Sequence, residues 1–155
     1  MNDLTVNIAH LDRNGLLDEW RWLVGPDRQP ILVTAMGNAF VQDPQSGAVD
    51  LLDAGTGKLT QVAQSVDEFR ALLGDKEFVH DHLLVDDVVG LRAAGKSLER
   101  GQVYGFEIPP VLGGSFDAEN LVPSDLVVHF SLSGQIHRQV KDLPPGTPIS
   151  QIKLG

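Results

Sequence analysis

The apolar pattern predicts an α+β fold: a mainly antiparallel sheet, built from an N-terminal β-meander and C-terminal strands, with helices packed on one face. Three observations predict it. Four short strand-like runs between Ile31 and Ala63 are joined by turns rich in Gly and Asp. The apolar spacing switches to a helical period at Ser65 and keeps it to about Ala94. Strand-like alternation then returns after Gly101. Strands segregated from helices, with hairpin-length connections, mark the α+β class.

The elements follow in order. Residues 11–24 read as a helix, with Leu16, Leu17, Trp20 and Leu23 at helical spacing and Gly25-Pro26 as the stop. Trp20 and Trp22 cannot point the same way on such a helix; one enters the core and the other lies at a surface groove. Ile31–Met36 is β-rich and ends at the turn signal Gly37-Asn38. Ala39–Gln42 runs into Asp43-Pro44-Gln45-Ser46-Gly47, and Ala48–Leu52 into Asp53-Ala54-Gly55-Thr56-Gly57. Lys58–Ala63 alternates and completes the meander. Ser65, with Glu68 three residues on, has the signature of a capping box. Val66, Phe69, Leu72 and Leu73 form the stripe of a first helix, and Gly74 is its expected C′ residue. Asp75 caps a second helix to about Ala94, with Phe78, His82, Val85 and Val89 on one face and Gly95 as its end. Gln102–Ile108 alternates as a strand, and residues 109–123 form a long loop. Leu126–Ser131 reads as a strand, Ser133-Gly134 as a turn, and Gln135–Val140 as a further strand. Residues 144–148 read as extended coil, with Ile149 and Ile152 docking on a sheet edge.

A chain of 155 residues without repeats or low-complexity linkers is expected to form one domain, residues 1–155. No cysteine is present, so disulfides, thiolate catalysis and Cys-based metal sites are excluded. The N-terminus lacks the basic and apolar regions of a secretory signal, and no run approaches 18 apolar residues; cytoplasmic residence and no membrane partner are expected. With 12 basic residues and a net charge of −9, the chain is a poor nucleic-acid binder, because binding a polyanion needs Lys and Arg to displace counterions. A basic protein partner is steered in by the same field.

No motif of known catalytic mechanics occurs. Gly55-Thr56-Gly57-Lys58 resembles a phosphate loop only superficially: Leu52 and Leu59 stand where the motif needs Gly and Ser or Thr, so it reads as a hairpin turn. There is no Gly-x-Ser-x-Gly elbow and no His-Glu-x-x-His. The expectation is therefore a protein that is not an enzyme, with no catalytic residues, no cofactor and no metal. The alternative metal reading centres on His82 and Asp86, an i,i+4 pair, with His129 or His137 from a strand. Two features point to partner binding. From Val66 to Gly90 seven carboxylates face two cations, a net −5, which reads either as a solvated helical face or as a surface for a cationic partner; Asp81, Asp86 and Asp87 are the candidates there. The long loop carries Gly113, Gly114, Phe116, Asp117, Glu119 and Asn120, and long loops in compact domains are often functional. A third reading is a self-associating ligand-binding or regulatory module, which a concave apolar pocket beside Trp22 or Phe116 would favour.

The run Gly101-Gln102-Val103-Tyr104-Gly105-Phe106-Glu107-Ile108-Pro109-Pro110-Val111-Leu112-Gly113-Gly114 resembles the C-terminal domain family of type VI secretion immunity proteins that neutralise DNase toxins. So does its continuation through Asp117-Ala118-Glu119-Asn120-Leu121, Val128-His129-Phe130 and Gly134-Gln135-Ile136. The resemblance extends over residues 20–140 and is best over 98–137. The sheet-then-helix layout upstream, with Gly37-Asn38-Ala39-Phe40 and Ser65–Phe69, is similar to the broader SUKH superfamily of immunity domains. The resemblance implies a cytoplasmic immunity protein that binds and inhibits a cognate secreted toxin, one with a basic surface. No sequence feature specifies the oligomeric state.

Overall fold

The computed structural model describes residues 3–143, 152 and 154. The tail expected as coil at 144–148, and Ile149, lie outside the described residues; Ile152 is half-buried.

Five antiparallel strands form the main sheet in the order β1 (Thr5–Val6), β2 (Gln29–Thr34), β3 (Ala39–Gln42), β4 (Val49–Asp53) and β5 (Lys58–Ala63). The turns are chemically specified. Gly37 takes φ +77° between β2 and β3, where Asn38 Oδ1 accepts from the Ala54 amide at 3.0 Å and ties two turns together. Side chains alternate across the sheet. Val33, Ala39 and Leu52 share a register row and enter one core cluster, while Phe40, Leu51 and Leu32 enter another on the opposite face. A two-stranded sheet, β6 (Gln102–Phe106) with β7 (Leu121–Asp125), joins the first through the Tyr104 amide, which donates to the Ala35 carbonyl at 2.7 Å.

The α+β class and the mainly antiparallel sheet are as expected. Helices α3 (Val66–Leu73) and α4 (Lys76–His82) cover one face through Phe69, Phe78 and Leu72. The capping box forms: Ser65 Oγ accepts from the Glu68 amide at 3.1 Å, and Glu68 Oε2 accepts from Gln64 N at 3.3 Å. Asp75 caps α4 by accepting from the amides of Glu77 and Phe78. Gly74, however, has φ −87°, so α3 ends without a left-handed residue.

The opposite face is covered by α6 (Leu126–Val140), where the sequence predicts two strands and a turn. The segment is one helix of 15 residues. Asp125 caps it, accepting from the Val128 amide at 2.9 Å. Its buried residues Leu126, Phe130, Gly134 and His137 recur every three or four positions, a stripe that the β-branched Val127-Val128 and the turn-like Ser133-Gly134 disguise. Ser133 Oγ donates to the His129 carbonyl one turn back at 2.7 Å, which satisfies the hydroxyl inside the helix. The stripe packs on Leu16, Leu17, Trp20 and Val24.

Those four residues lie on a broken segment and not on the continuous helix expected over 11–24. It comprises α1 (Arg13–Leu16), a 3₁₀ turn (Asp18–Trp20) and α2 (Arg21–Val24). Trp20 is fully buried; Trp22 is half-buried, stacks on it at 5.7 Å and donates its indole N–H to the Gly134 carbonyl at 3.3 Å. The second helix expected through Ala94 is likewise interrupted. Leu84, at φ 55°, is the one non-glycine residue with positive φ among those described, and it separates α4 from α5 (Val85–Ala93). The left-handed region is costly for a branched side chain; its neighbours Leu83 and Val88 are buried in two different core clusters. Val88 and Leu91, not Val89, face the core; Val89 is 59% exposed.

Candidate partner-binding site

The acidic candidates sit at the α4–α5 corner. His80 stands between two of them, with Nδ1 3.2 Å from Asp81 Oδ1 and Nε2 3.0 Å from Asp86 Oδ2. The hydrogen bonds to Asp81 and Asp86 hold its imidazole above the ordinary histidine pKa. Asp87 is exposed beside them. The metal pair read from spacing, His82 with Asp86, is replaced: the break at Leu84 removes the i,i+4 relation, and His80 meets Asp86. His82 instead stacks on Phe78 at 4.1 Å, with Nδ1 3.1 Å from the Phe78 carbonyl. Among the described residues no group of three His, Cys, Asp or Glu is placed to hold a metal ion.

The loop candidates divide by role. Asn120 closes the loop: Oδ1 accepts from the Ile108 amide at 2.9 Å, and Nδ2 donates to the carbonyls of Ile108 at 2.7 Å and Ser115 at 2.8 Å. Gly113 takes φ +102° after a 3₁₀ turn at Pro110–Leu112. A Cβ on Gly114 would lie 1.8 Å from the Ile108 carbonyl oxygen, so only glycine fits. Lys96 Nζ donates to the carbonyls of Ala118 and Leu121, both at 2.8 Å, and fastens the far side. On this frame Phe116 is 63% exposed, edge-on to Phe106 at 5.6 Å, and Asp117 and Glu119 point their chemistry to the surface. Pro123, read as loop, belongs to β7.

Loop and corner meet at a feature that sequence reasoning missed. A cleft of about 480 Å³ opens between the turns of the main sheet, β6, the loop and α6. Its apolar lining includes Met36, Leu84, Leu112, Phe116, Val128 and Leu132. Two carboxylates, Asp53 and Glu107, line it too, while among the described residues no Lys or Arg does. Asp81, Asp86 and Asp87 are not in the lining, though Leu84 on the same corner is. Val128, Leu132 and Ile136, one helical turn apart on α6, supply one wall. Their i,i+4 spacing was the signal in the sequence.

Two histidines of α6 also reach this cleft. His129 Nε2 lies 2.8 Å from the Gly37 carbonyl, and His137 is bonded to the carbonyls of Ala54 and Gly55. Burial holds both imidazoles below the ordinary histidine range, against those hydrogen bonds. They fasten α6 to both sheet turns in the neutral form. Close approach explains two glycines: a Cβ on Gly37 would lie 2.5 Å from His129 Nε2, and one on Gly57 2.6 Å from His137 Nδ1.

Among solved structures, the chain is similar to the crystal structure of Atu4351 from Agrobacterium tumefaciens, with a TM-score of 0.55 and 14% identity. The match covers 81% of this chain and 65% of that one, just under two thirds of its length, and at this identity it speaks for the fold alone. A search of curated proteins finds no match. Residues 63–137, just under half of the chain, match the family model described as T6SS immunity protein Tdi1, C-terminal.

Proposed function

We propose that this chain is an immunity protein that binds and inhibits a cognate secreted bacterial toxin, a nuclease with a basic surface, in the cytoplasm of the cell that makes both. The family match over residues 63–137 carries the reading. The charge supports it: a net −9 chain with a carboxylate-rich α4–α5 corner complements a cationic surface made to hold a polyanion. Inhibition of this kind needs no catalytic group on the inhibitor. Asp81, Asp86, Asp87, Phe116, Asp117 and Glu119 are the proposed contacts, with Gly113, Gly114 and Asn120 building the loop that presents three of them.

The test is co-purification with the product of the adjacent gene, followed by co-expression. A tight complex that abolishes the neighbour's toxicity supports the reading; a neighbour that is neither bound nor toxic refutes it. The double variant Asp86→Lys/Asp87→Lys should slow association and flatten its salt dependence, since exposed charges act mainly on encounter. The cleft beside Phe116 favours a second reading, a ligand-binding module, because its volume falls in the range of small-molecule sites, roughly 300–1,000 Å³.

A further inference from the structure

We infer that the cleft between α6, β6 and the 107–120 loop receives a toxin segment whose apolar side chains are flanked by lysine or arginine. This inference rests on the immunity reading above and names where and how the toxin is held.

Three observations carry it. First, the apolar lining does not stop at the cleft. Phe116 is 63% exposed, Val128 52% and Leu132 37%, so the surface continues outward as an open apolar patch. Patches of this kind on otherwise polar proteins mark places where something binds. Second, the charge is one-sided. Asp53 and Glu107 are in the lining, Asp117 and Glu119 follow Phe116 on the same loop, and among the described residues the lining holds neither Lys nor Arg. The two histidines there are held toward the neutral form by burial, so they do not oppose the carboxylates. An apolar centre with an acidic rim is the complement of apolar anchors between cations.

Third, most of the polar side chains of the cleft are already used within the protein; the Thr56 hydroxyl and the Glu107 carboxylate are the exceptions among the described residues. Asn38 Oδ1 accepts from Ala54 N, and Asp53 Oδ1 accepts from the amides of Gly55 and Thr56. Ser133 Oγ donates to the His129 carbonyl, Ser124 Oγ to that of Val122, and the Tyr104 hydroxyl to that of Lys96. A small-molecule site keeps a few convergent polar groups to orient its ligand. Here most are spent on the scaffold, and what remains is apolar surface, one hydroxyl and rim charge, which suits a protein segment.

The experiment measures affinity of the full chain for its toxin with Phe116→Ala, Val128→Lys and Leu132→Glu. Gln61→Lys, exposed on β5 and outside the lining, serves as control. The substituted cleft side chains are partly or largely exposed, and an unchanged thermal midpoint verifies folding. Phe116→Ala and Val128→Lys should each raise Kd at least tenfold, with Gln61→Lys within twofold of the parent. Val128→Lys should cost more than Leu132→Glu, because only the lysine repels a cationic segment. A photo-crosslinking residue at position 116 should capture a toxin peptide containing both apolar residues and Lys or Arg. If the parent binds and neutralises the toxin but the cleft variants bind equally well, the cleft inference fails and the immunity reading stands. If the parent does not bind, both fail. A captured peptide rich in Asp and Glu, or a small molecule retained in the cleft while toxin binding persists, also overturns the inference.

Discussion

Replacing Gly134 by Ala isolates one contact on which α6 depends. In an exposed helix the change stabilises by about 1 kcal/mol, because Ala loses less backbone entropy than Gly. At Gly134 the new Cβ would stand 2.6 Å from the Glu19 carbonyl oxygen and 2.7 Å from its carbon, both backbone atoms of the 3₁₀ turn. Neither can swing aside as a side chain would. Relief requires α6 and the turn to separate, which costs about 1–3 kcal/mol as overpacking. It also stretches the Trp22 bond to the Gly134 carbonyl, worth about 0.5–1.5 kcal/mol. The balance is a net loss of about 1–3 kcal/mol, or ~2–10 °C in Tm for a chain of this size. Gly90 on α5 is the matched control: it is exposed, and a Cβ there meets nothing within 4 Å, so Gly90→Ala should gain about 0.5–1 kcal/mol. Urea unfolding followed by tryptophan fluorescence reads both, since Trp20 and Trp22 lie at the contact. Equal stabilisation by the two substitutions would refute the close approach of α6 to Glu19.

Two further predictions concern the same scaffold. His129 and His137 have folded-state pKa values below the ordinary 6.5, so the unfolded chain binds protons more readily; their contribution to stability is complete above about pH 6.5 and is lost as pH falls from there toward the folded values. The urea midpoint should drop between pH 7.5 and 5, and an NMR titration giving either imidazole a pKa at or above 6.5 contradicts this. Asn120→Ala removes three side-chain hydrogen bonds from the 107–120 loop and should cost about 1–3 kcal/mol. Limited proteolysis should then cut within that loop first; unchanged resistance would mean that Asn120 does not close it.

What was legible in the sequence was what neighbouring residues decide among themselves. The run Lys58–Ala63 has the bounds of β5, and the Ser65 and Asp75 caps form as their spacing predicts. What was illegible depends on residues far away. Gly134 reads as a turn until Glu19 is known to press against it. Nothing in His82-Leu83-Leu84-Val85 announces a break, because Leu84 is a poor residue for φ 55°. The long loop and its exposed Phe116 were readable from Gly113-Gly114 and the flanking prolines. The cleft was not, since its walls come from segments as distant as Met36 and Ile136, and one wall was read with the wrong period.

The family segment begins at Ala63, the last residue of β5, and stops three residues short of the end of α6. Yet the apolar stripe of α6 is sealed by Leu16, Leu17, Trp20 and Val24, all from outside that segment. The unit recognised by sequence is therefore not one that can be excised or traded. A chimera carrying residues 63–137 of a relative inherits a helix without the surface that sheathes it, and Gly134 must travel together with the turn at Glu19. Exposed positions such as Phe116, Val128 and Leu132 can vary without renegotiating that seam.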